Sequence, residues 1–190
     1  MPCISPEDCY AEAMKNNTII AATTFRLATQ SDIPGLPAIE RSAAQAFRLI
    51  PHLAWLAESP TIDLRQHRLS VEDGHSLVAV ADGQLAGFLL TEALDDALFI
   101  VEISVHQTWQ GQGIGRAMMA KIIDHARRAA YPAVTLTTFR DVPWNAPFYS
   151  RLGFRMLNEQ ALPAGLAAKR QQETAHGLAP ETRCAMRLTL

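Results

Sequence analysis

The sequence predicts a single-domain α/β protein, a mixed and mostly antiparallel sheet flanked by helices. Three observations predict it. Three β-like segments, 75–81, 84–92 and 97–106, follow one another with turn signals between them. A glycine-rich loop then opens an amphipathic helical segment, 113–130. A β-branched run at 133–139 and a closing strand at 184–190 complete the pattern.

The 190 residues are 48% apolar and 19% charged, which suits one globular core and excludes a disordered chain. A net charge of −2 gives no general attraction to nucleic acid or to an anionic membrane. Cys3, Cys9 and Cys184 are few, scattered and without CxxC spacing. They predict no disulfide framework and no zinc site, only free thiols in a reducing, cytoplasmic compartment. Residues 1–17 carry Glu7, Asp8, Glu12 and Lys15 among small residues, unlike a signal peptide. They read as an extension ahead of a domain spanning 18–190. No run of about 18 apolar residues is present, so no membrane span is expected.

Each element has a local reason. Thr24–Ala28 reads as a first strand. Thr29-Gln30-Ser31-Asp32 offers helix-capping side chains, and Pro34 suits a first helical turn, with the helix running to about Phe47. Residues 49–70, with Pro51, Trp55 and Pro60, read as a short helix or loop. Asp82-Gly83 and Asp95-Asp96 turn the chain between strands. In 113–130, Gly115, Met119, Ile122, Ile123, Ala126 and Ala130 share a face, and Tyr131-Pro132 stops the helix. A short helix is expected at 145–152, ended by Gly153, then a strand at 154–157 and a helix within 159–175.

The loop Gln110-Gly111-Gln112-Gly113-Ile114-Gly115-Arg116 follows the strand Val101-Glu102-Ile103-Ser104-Val105. A strand, a glycine loop and a helix start present backbone N–H groups and a positive dipole end, which suit a phosphate chain. Two other phosphate loops fail on their residues. The P-loop needs Gly-Lys-Ser/Thr, and Gly115-Arg116-Ala117 lacks it. The dinucleotide fingerprint needs a third glycine where Arg116 stands, and it normally opens a sheet rather than following three strands.

Gln110, Gly113 and Gly115 meet the pattern Gln/Arg-x-x-Gly-x-Gly/Ala. Trp144-Asn145-Ala146-Pro147-Phe148-Tyr149-Ser150-Arg151-Leu152-Gly153-Phe154 follows about thirty residues later. Together these segments resemble the GNAT superfamily, the GCN5-related N-acetyltransferases, from about Phe25 to Phe154. The resemblance implies the acyl-CoA N-acyltransferase fold, with two parallel strands splayed to admit a thioester. It implies acetyl-CoA as acyl donor. Amides of Gln110, Gly111, Gln112, Gly113, Ile114 and Gly115 would hold the pyrophosphate. The edge of Ile103, Ser104 and Val105 would pair with the pantetheine, and amides near Ile103 would polarise the carbonyl. The family usually has Arg where Gln110 stands. Arg116 either restores that charge or is a solvated helix residue.

Glu102 lies in an otherwise apolar strand. It is either the general base that takes a proton from the amine, or a carboxylate on a wet strand face. Tyr149 matches the family's general acid, a phenol that protonates the departing thiolate; otherwise it fills the core, as Phe148 is expected to do. Asn145 matches a cofactor-contacting residue and also suits a helix N-cap, and Phe148 is placed with it on the cofactor side. Ser104 shows no base partner in the sequence, there is no GxSxG elbow, and Cys184 reads as buried, so no covalent acyl-enzyme is expected. The six histidines have no metal-ligand spacing, so no metal is expected.

By the resemblance, residues 36–70 build the acceptor pocket. Glu40, Glu58, Asp63 and Glu72 would draw a cationic amine, or are ordinary surface charges. Trp55 and His67 are candidate pocket linings. The expected activity is direct transfer of an acetyl group from acetyl-CoA to the primary amine of a small molecule, with a protein or peptide amine as alternative. Two other classes remain open. A non-catalytic acyl-CoA-binding module would need the glycines but neither Glu102 nor Tyr149. A nucleotide-dependent oxidoreductase would bind NAD. A homodimer through the sheet edge near the last strand fits the same topology.

Overall fold

The structure, a computed structural model, describes residues 23–190. The expected extension at 1–17, Cys3 and Cys9 lie outside the described residues. Seven strands form one sheet in the order β1-β2-β3-β4-β5-β7-β6. They are β1 (Thr23–Leu27), β2 (Ser76–Ala81), β3 (Gln84–Leu94), β4 (Ala97–Val105), β5 (Ala133–Phe139), β6 (Arg155–Met156) and β7 (Arg183–Thr189). The helices are α1 (Leu36–Ala44), α2 (Leu64–Glu72), α3 (Ile114–Arg128), α4 (Ala146–Ser150) and α5 (Ala164–Ala175). The mixed, mostly antiparallel sheet is the predicted fold class, and β4 and β5 pair parallel.

The chain divides into two compact units. One holds the described residues up to Leu90 together with Glu102–Ala120; the other holds Thr91–Val101 and Lys121–Leu190.

In the first unit β1 and β2 pair antiparallel from Thr23↔Ala81 to Leu27↔Leu77. The β2–β3 hairpin turns on Asp82 (φ 49°) and Gly83 (φ 74°), two successive left-handed residues. That is the geometry an Asp-Gly turn favours, because it matches the strand twist. Val78, Phe88, Leu90, Leu36, Ile39, Leu53, Met118 and Met119 are all buried here.

The region between β1 and β2 departs from expectation. Instead of one helix to Phe47, α1 is flanked by 3-10 turns at Ile33–Gly35 and Gln45–Leu49, with another at Pro51–Glu58. Pro34, Pro37 and Pro51 each remove an N–H, which favours short tight turns over one long helix. Within the stretch 49–70, expected to be a short helix or loop, a helix does form: α2 starts at Leu64, where the Asp63 carboxylate accepts the Gln66 N–H at 2.7 Å, and runs on to Glu72. Asp32 caps nothing with its side chain. Its carboxylate accepts from Thr29 N–H (2.7 Å) and Thr29 Oγ1, and pairs with both terminal nitrogens of Arg26. The guanidinium holds this carboxyl well below the usual range.

In the second unit β5 and β7 pair over their full length, from Ala133↔Thr189 to Phe139↔Arg183, and β6 adds to the far side of β7. Phe99, Leu166 and Ala185 form a buried cluster, with Leu94, Val101, Leu157 and Leu162 packed on it. The turn residue Asp95 (φ 54°) also serves α5. Its carboxylate accepts the N–H groups of Gly165 (2.8 Å) and Leu166 (3.2 Å), a task Pro163 at the N-cap cannot perform. Arg170 and Arg183 are buried and share Glu173, which also receives the Thr137 hydroxyl. Buried charges persist only when paired in this way.

The long helix ends two residues earlier than its apolar spacing implied. Ala130 stands outside α3, exposed, at φ 59°. A left-handed residue here is the usual helix stop, supplied without the customary glycine. The buried stripe is Ile114, Met118, Met119, Ile122 and Ala126, so Gly115, Ile123 and Ala130 fall outside it and Ile114 and Met118 enter.

Candidate functional site

In the first unit the end of β4 carries Glu102 and Ser104. Residues two apart on a strand share a face, and the Ser104 hydroxyl donates to Glu102 Oε1 at 2.7 Å. Ser104 therefore has an acidic partner that the sequence did not show, and it is buried, whereas Glu102 is half-buried. A hydroxyl on one carboxylate oxygen fixes the orientation of the group. Ile103 and Val105 are half-buried, as neighbours on an edge should be.

Gly87 on β3 explains how β4 is held here. A Cβ on Gly87 would stand 2.9 Å from the Ser104 carbonyl oxygen, 3.2 Å from Met118 and 3.4 Å from Val105. The bare backbone of β3 thus admits Ser104 at close range. The His106 N–H then donates to Ala86 O at 2.9 Å, closing the strand. Gly87 went unnoticed in the sequence, although a glycine inside a strand pattern often marks close backbone approach.

The chain leaves β4 through a 3-10 turn at Gln107–Trp109. The Gln107 N–H donates to Ser42 Oγ of α1 at 3.1 Å, which anchors the turn. Gly111 (φ 75°) and Gly113 (φ 84°) are left-handed, a backbone state that favours glycine. Nothing lies within 4 Å of a Cβ placed on Gly111, so the loop stays open to an approaching ligand. At Gly115 the nearest atom, in Val105, stands 3.8 Å from such a Cβ, so the protein itself does not demand glycine there. α3 then begins at Ile114, with no acidic side chain in its first turn to occupy the amides. Gln112 Nε2 donates to Thr108 O at 3.1 Å. Gln110 Nε2 donates to Val105 O at 2.9 Å, so this side chain ties the loop back to β4. Arg116 is exposed, and no ion pair claims it among the described residues. These features fit a pyrophosphate: an open loop, free helix-start amides and an uncommitted guanidinium.

Glu40 on α1 belongs to the same unit. Its carboxylate accepts the Ile62 N–H at 3.0 Å to Oε2 and 3.3 Å to Oε1. Burial, then the charge of Glu102, pushes this carboxyl up to about 7. The other candidate acids serve elsewhere: Glu58 pairs with Arg48, Asp63 caps α2, and Glu72 accepts from Gln30 at 3.4 Å. His67 is 0% exposed, lies edge-on to Phe88 at 5.3 Å, and neither ring nitrogen has a hydrogen-bond partner. Burial holds its pKa down. Trp55 is exposed.

The second unit carries Asn145, Phe148 and Tyr149. Asn145 occupies the N-cap position of α4 but makes no side-chain cap hydrogen bond. The two aromatic rings reverse the expected order of burial: Tyr149 is buried and Phe148 is half-exposed. The Tyr149 ring meets Phe148 at 5.2 Å and Phe154 at 5.8 Å, both edge-on. A phenol this enclosed is fixed in place. β4 and β5 are hydrogen-bonded only at Leu98–Ile100 against Val134–Leu136, although β4 runs on to Val105 and β5 to Phe139. Cys184 is buried, and burial pushes its thiol up, away from a nucleophilic thiolate.

Comparison with known proteins bears on this arrangement. Mycothiol acetyltransferase of Stackebrandtia nassauensis is 33% identical over 92 residues, which span 48% of this chain and 30% of that protein. The chain thus matches less than a third of the length of that relative. The crystal structure of PaiA N-acetyltransferase from Thermoplasma acidophilum, in complex with coenzyme A, superposes with a TM-score of 0.65 over 88% of this chain and 99% of that one, at 13% identity. The ribosomal-protein-S18-alanine N-acetyltransferase of Escherichia coli gives 0.62 over 88% and 93%, at 16% identity. These two likenesses show the fold. The model of the acetyltransferase (GNAT) family matches residues 36–154, from the start of α1 to the residue before β6. The protein belongs to the GNAT acetyltransferase family.

Proposed function

We propose that the protein transfers an acetyl group from acetyl-CoA to the primary amine of a small molecule, by direct attack within a ternary complex. The observation that carries this reading is the end of β4: Glu102, held by Ser104, on the strand that feeds two left-handed glycines and the start of α3. The loop amides from Gln110 to Gly115 bind the pyrophosphate, with Arg116 adding charge. Pairing of β4 with β5 stops at Ile100, which supports Ile103, Ser104 and Val105 as the edge that meets the pantetheine amides. Gln110 keeps that edge in register through Val105 O. Asn145 and Phe148 complete the cofactor contacts.

In the reaction, the acceptor ammonium gives a proton to Glu102, directly or through a water. The freed nitrogen lone pair forms a bond to the thioester carbonyl carbon. Backbone amides near Ile103 stabilise the oxyanion. The carbon–sulfur bond then breaks, Tyr149 gives its phenolic proton to the departing thiolate, and the nitrogen sheds its second proton, which restores the phenol. The products are the N-acetyl amide and coenzyme A. The likeness to mycothiol acetyltransferase, over 30% of that protein, supports transfer of an acetyl group and names no acceptor for this chain.

The test is thiol release from acetyl-CoA across a panel of primary amines, small-molecule and peptide, with wild type and Glu102→Gln. Release that depends on an amine and falls at least about 100-fold in Glu102→Gln supports the reading. Amine-dependent release that survives the substitution removes Glu102 from the mechanism.

A further inference from the structure

The core does not hold the stretch between β4 and α3. From His106 to Gly113 no residue is buried, and burial resumes only at Ile114. Hydrogen bonds must therefore set where the glycine loop stands. Most of them are local. The Thr108 N–H donates to His106 Nδ1 at 3.3 Å, the Trp109 N–H to His106 O at 2.8 Å, and the Gln110 N–H to Gln107 O at 3.3 Å. The Gln110 and Gln112 side chains reach Val105 O and Thr108 O. These bonds shape the stretch and tie it to β4. Among the described residues, one hydrogen bond reaches it from beyond β4 and α3: the Gln107 N–H, first in the 3-10 turn, donates to Ser42 Oγ at 3.1 Å. Ser42 sits on a firm base. Leu36 and Ile39 of α1 are buried, and Glu40 accepts the Ile62 N–H at 3.0 Å. Ser42 is followed by Ala43 and Ala44 at the end of α1, and alanine is the better helix former. The hydroxyl is thus not there for the helix; what it adds is an acceptor for Gln107.

We propose that Ser42 is a positioning residue for the pyrophosphate loop. By holding the first N–H of the turn against α1, it sets the loop amides in place before the ligand arrives. Without it the loop must be ordered on binding, and that ordering costs affinity. Ser42 needs no contact with the donor. The inference rests on the reading above that this loop binds acetyl-CoA through its pyrophosphate.

The experiment compares wild type, Ser42→Ala and Ser42→Thr with two acyl donors, acetyl-CoA and S-acetylpantetheine. The second carries the same thioester but no phosphate. With one acceptor from the amine panel, kcat/KM for acetyl-CoA is expected to fall about three- to tenfold in Ser42→Ala, through KM, with kcat nearly unchanged. For S-acetylpantetheine, which cannot use the loop, kcat/KM should stay at the wild-type value. Ser42→Thr keeps a hydroxyl oxygen and is expected to recover most of the loss. Equal losses with both donors would give the hydroxyl a general role in the fold, and no loss with acetyl-CoA would leave the loop placed without it; either result overturns the proposal. Hydrogen exchange at the Gln107 amide, followed by NMR without ligand, should speed up about three- to tenfold in Ser42→Ala. An unchanged rate overturns the anchor. If wild type releases no thiol with any amine, the proposed function fails, and calorimetric affinity for acetyl-CoA then decides the role of Ser42. Weaker binding in Ser42→Ala supports it; equal binding, or none to wild type, overturns it.

Discussion

Replacing Glu40 by Gln should make the protein more stable at pH 8 than the natural sequence, and the gain should nearly vanish at acid pH. In the fold this carboxyl titrates near 7, against an ordinary value of 4.5. The folded chain therefore binds the proton more tightly than the unfolded chain does. Below about pH 4.5 both states are protonated, and Glu40 contributes nothing to pH dependence. Between 4.5 and 7 the unfolded carboxyl is ionised while the folded one is not, so stability falls as pH rises. Above 7 the loss is complete and constant. The interval, at about 1.4 kcal/mol per unit, sets an upper bound of about 3 kcal/mol. Water reaches the half-buried group, so about 1–2 kcal/mol is the reasonable expectation after screening. Gln keeps the oxygen that Ile62 uses and removes the charge. The assay is urea unfolding of both proteins at pH 5 and pH 8. The difference in unfolding free energy should grow by about 1–2 kcal/mol toward pH 8. A difference that stays the same at both pH values would show that Glu40 is not strained by burial and by Glu102, and would refute the reasoning.

Three other outcomes follow from the same structure. Tyr149→Phe should lower turnover by about 10²-fold or more while leaving acetyl-CoA affinity nearly unchanged, as steady-state kinetics and calorimetry would show; equal loss of both, or of neither, would remove its acid role. Gly87→Ala should cost about 1–3 kcal/mol in urea unfolding, because its Cβ meets the Ser104 carbonyl at 2.9 Å and β4 must yield; a variant as stable as the parent would mean that β4 is not held there. His67 is buried neutral with its pKa held down, so the folded state resists the proton that the unfolded chain accepts. Its contribution is therefore whole above about pH 6.5 and falls as pH drops below it, and thermal unfolding of His67→Leu should show a flatter acid limb than wild type.

Much of the fold was legible because its signals are local. The β-branched run at 133–139 matches β5 residue for residue, and Asp82-Gly83 forms the left-handed turn its dipeptide implies. The glycine loop was legible for the same reason, since Gly111 and Gly113 carry a backbone requirement in their identity. What failed depended on partners distant in the chain. Asp32 looked like a helix cap, but Arg26 and Thr29 compete for its oxygens and win. The helix predicted to reach Phe47 ends at Ala44 and passes into a 3-10 turn over Gln45–Leu49. His67 looked like a pocket residue because a histidine suggests chemistry, whereas tertiary packing against Phe88 decides its place. Among four acids of similar local context, only the Ile62 N–H and the charge of Glu102 single out Glu40. Neither partner is a neighbour in sequence, so no local pattern could have shown it.

The central claim is that the loop after β4 and the first turn of α3 bind the pyrophosphate of an acyl-CoA. Calorimetric titration of the purified protein with acetyl-CoA, and in parallel with NAD, tests it most directly. The account predicts saturable binding of acetyl-CoA, weakened at least about tenfold by Gly113→Ala, which cannot hold the left-handed backbone without strain, and no binding of NAD. Binding of NAD instead, or of neither compound, would contradict the account.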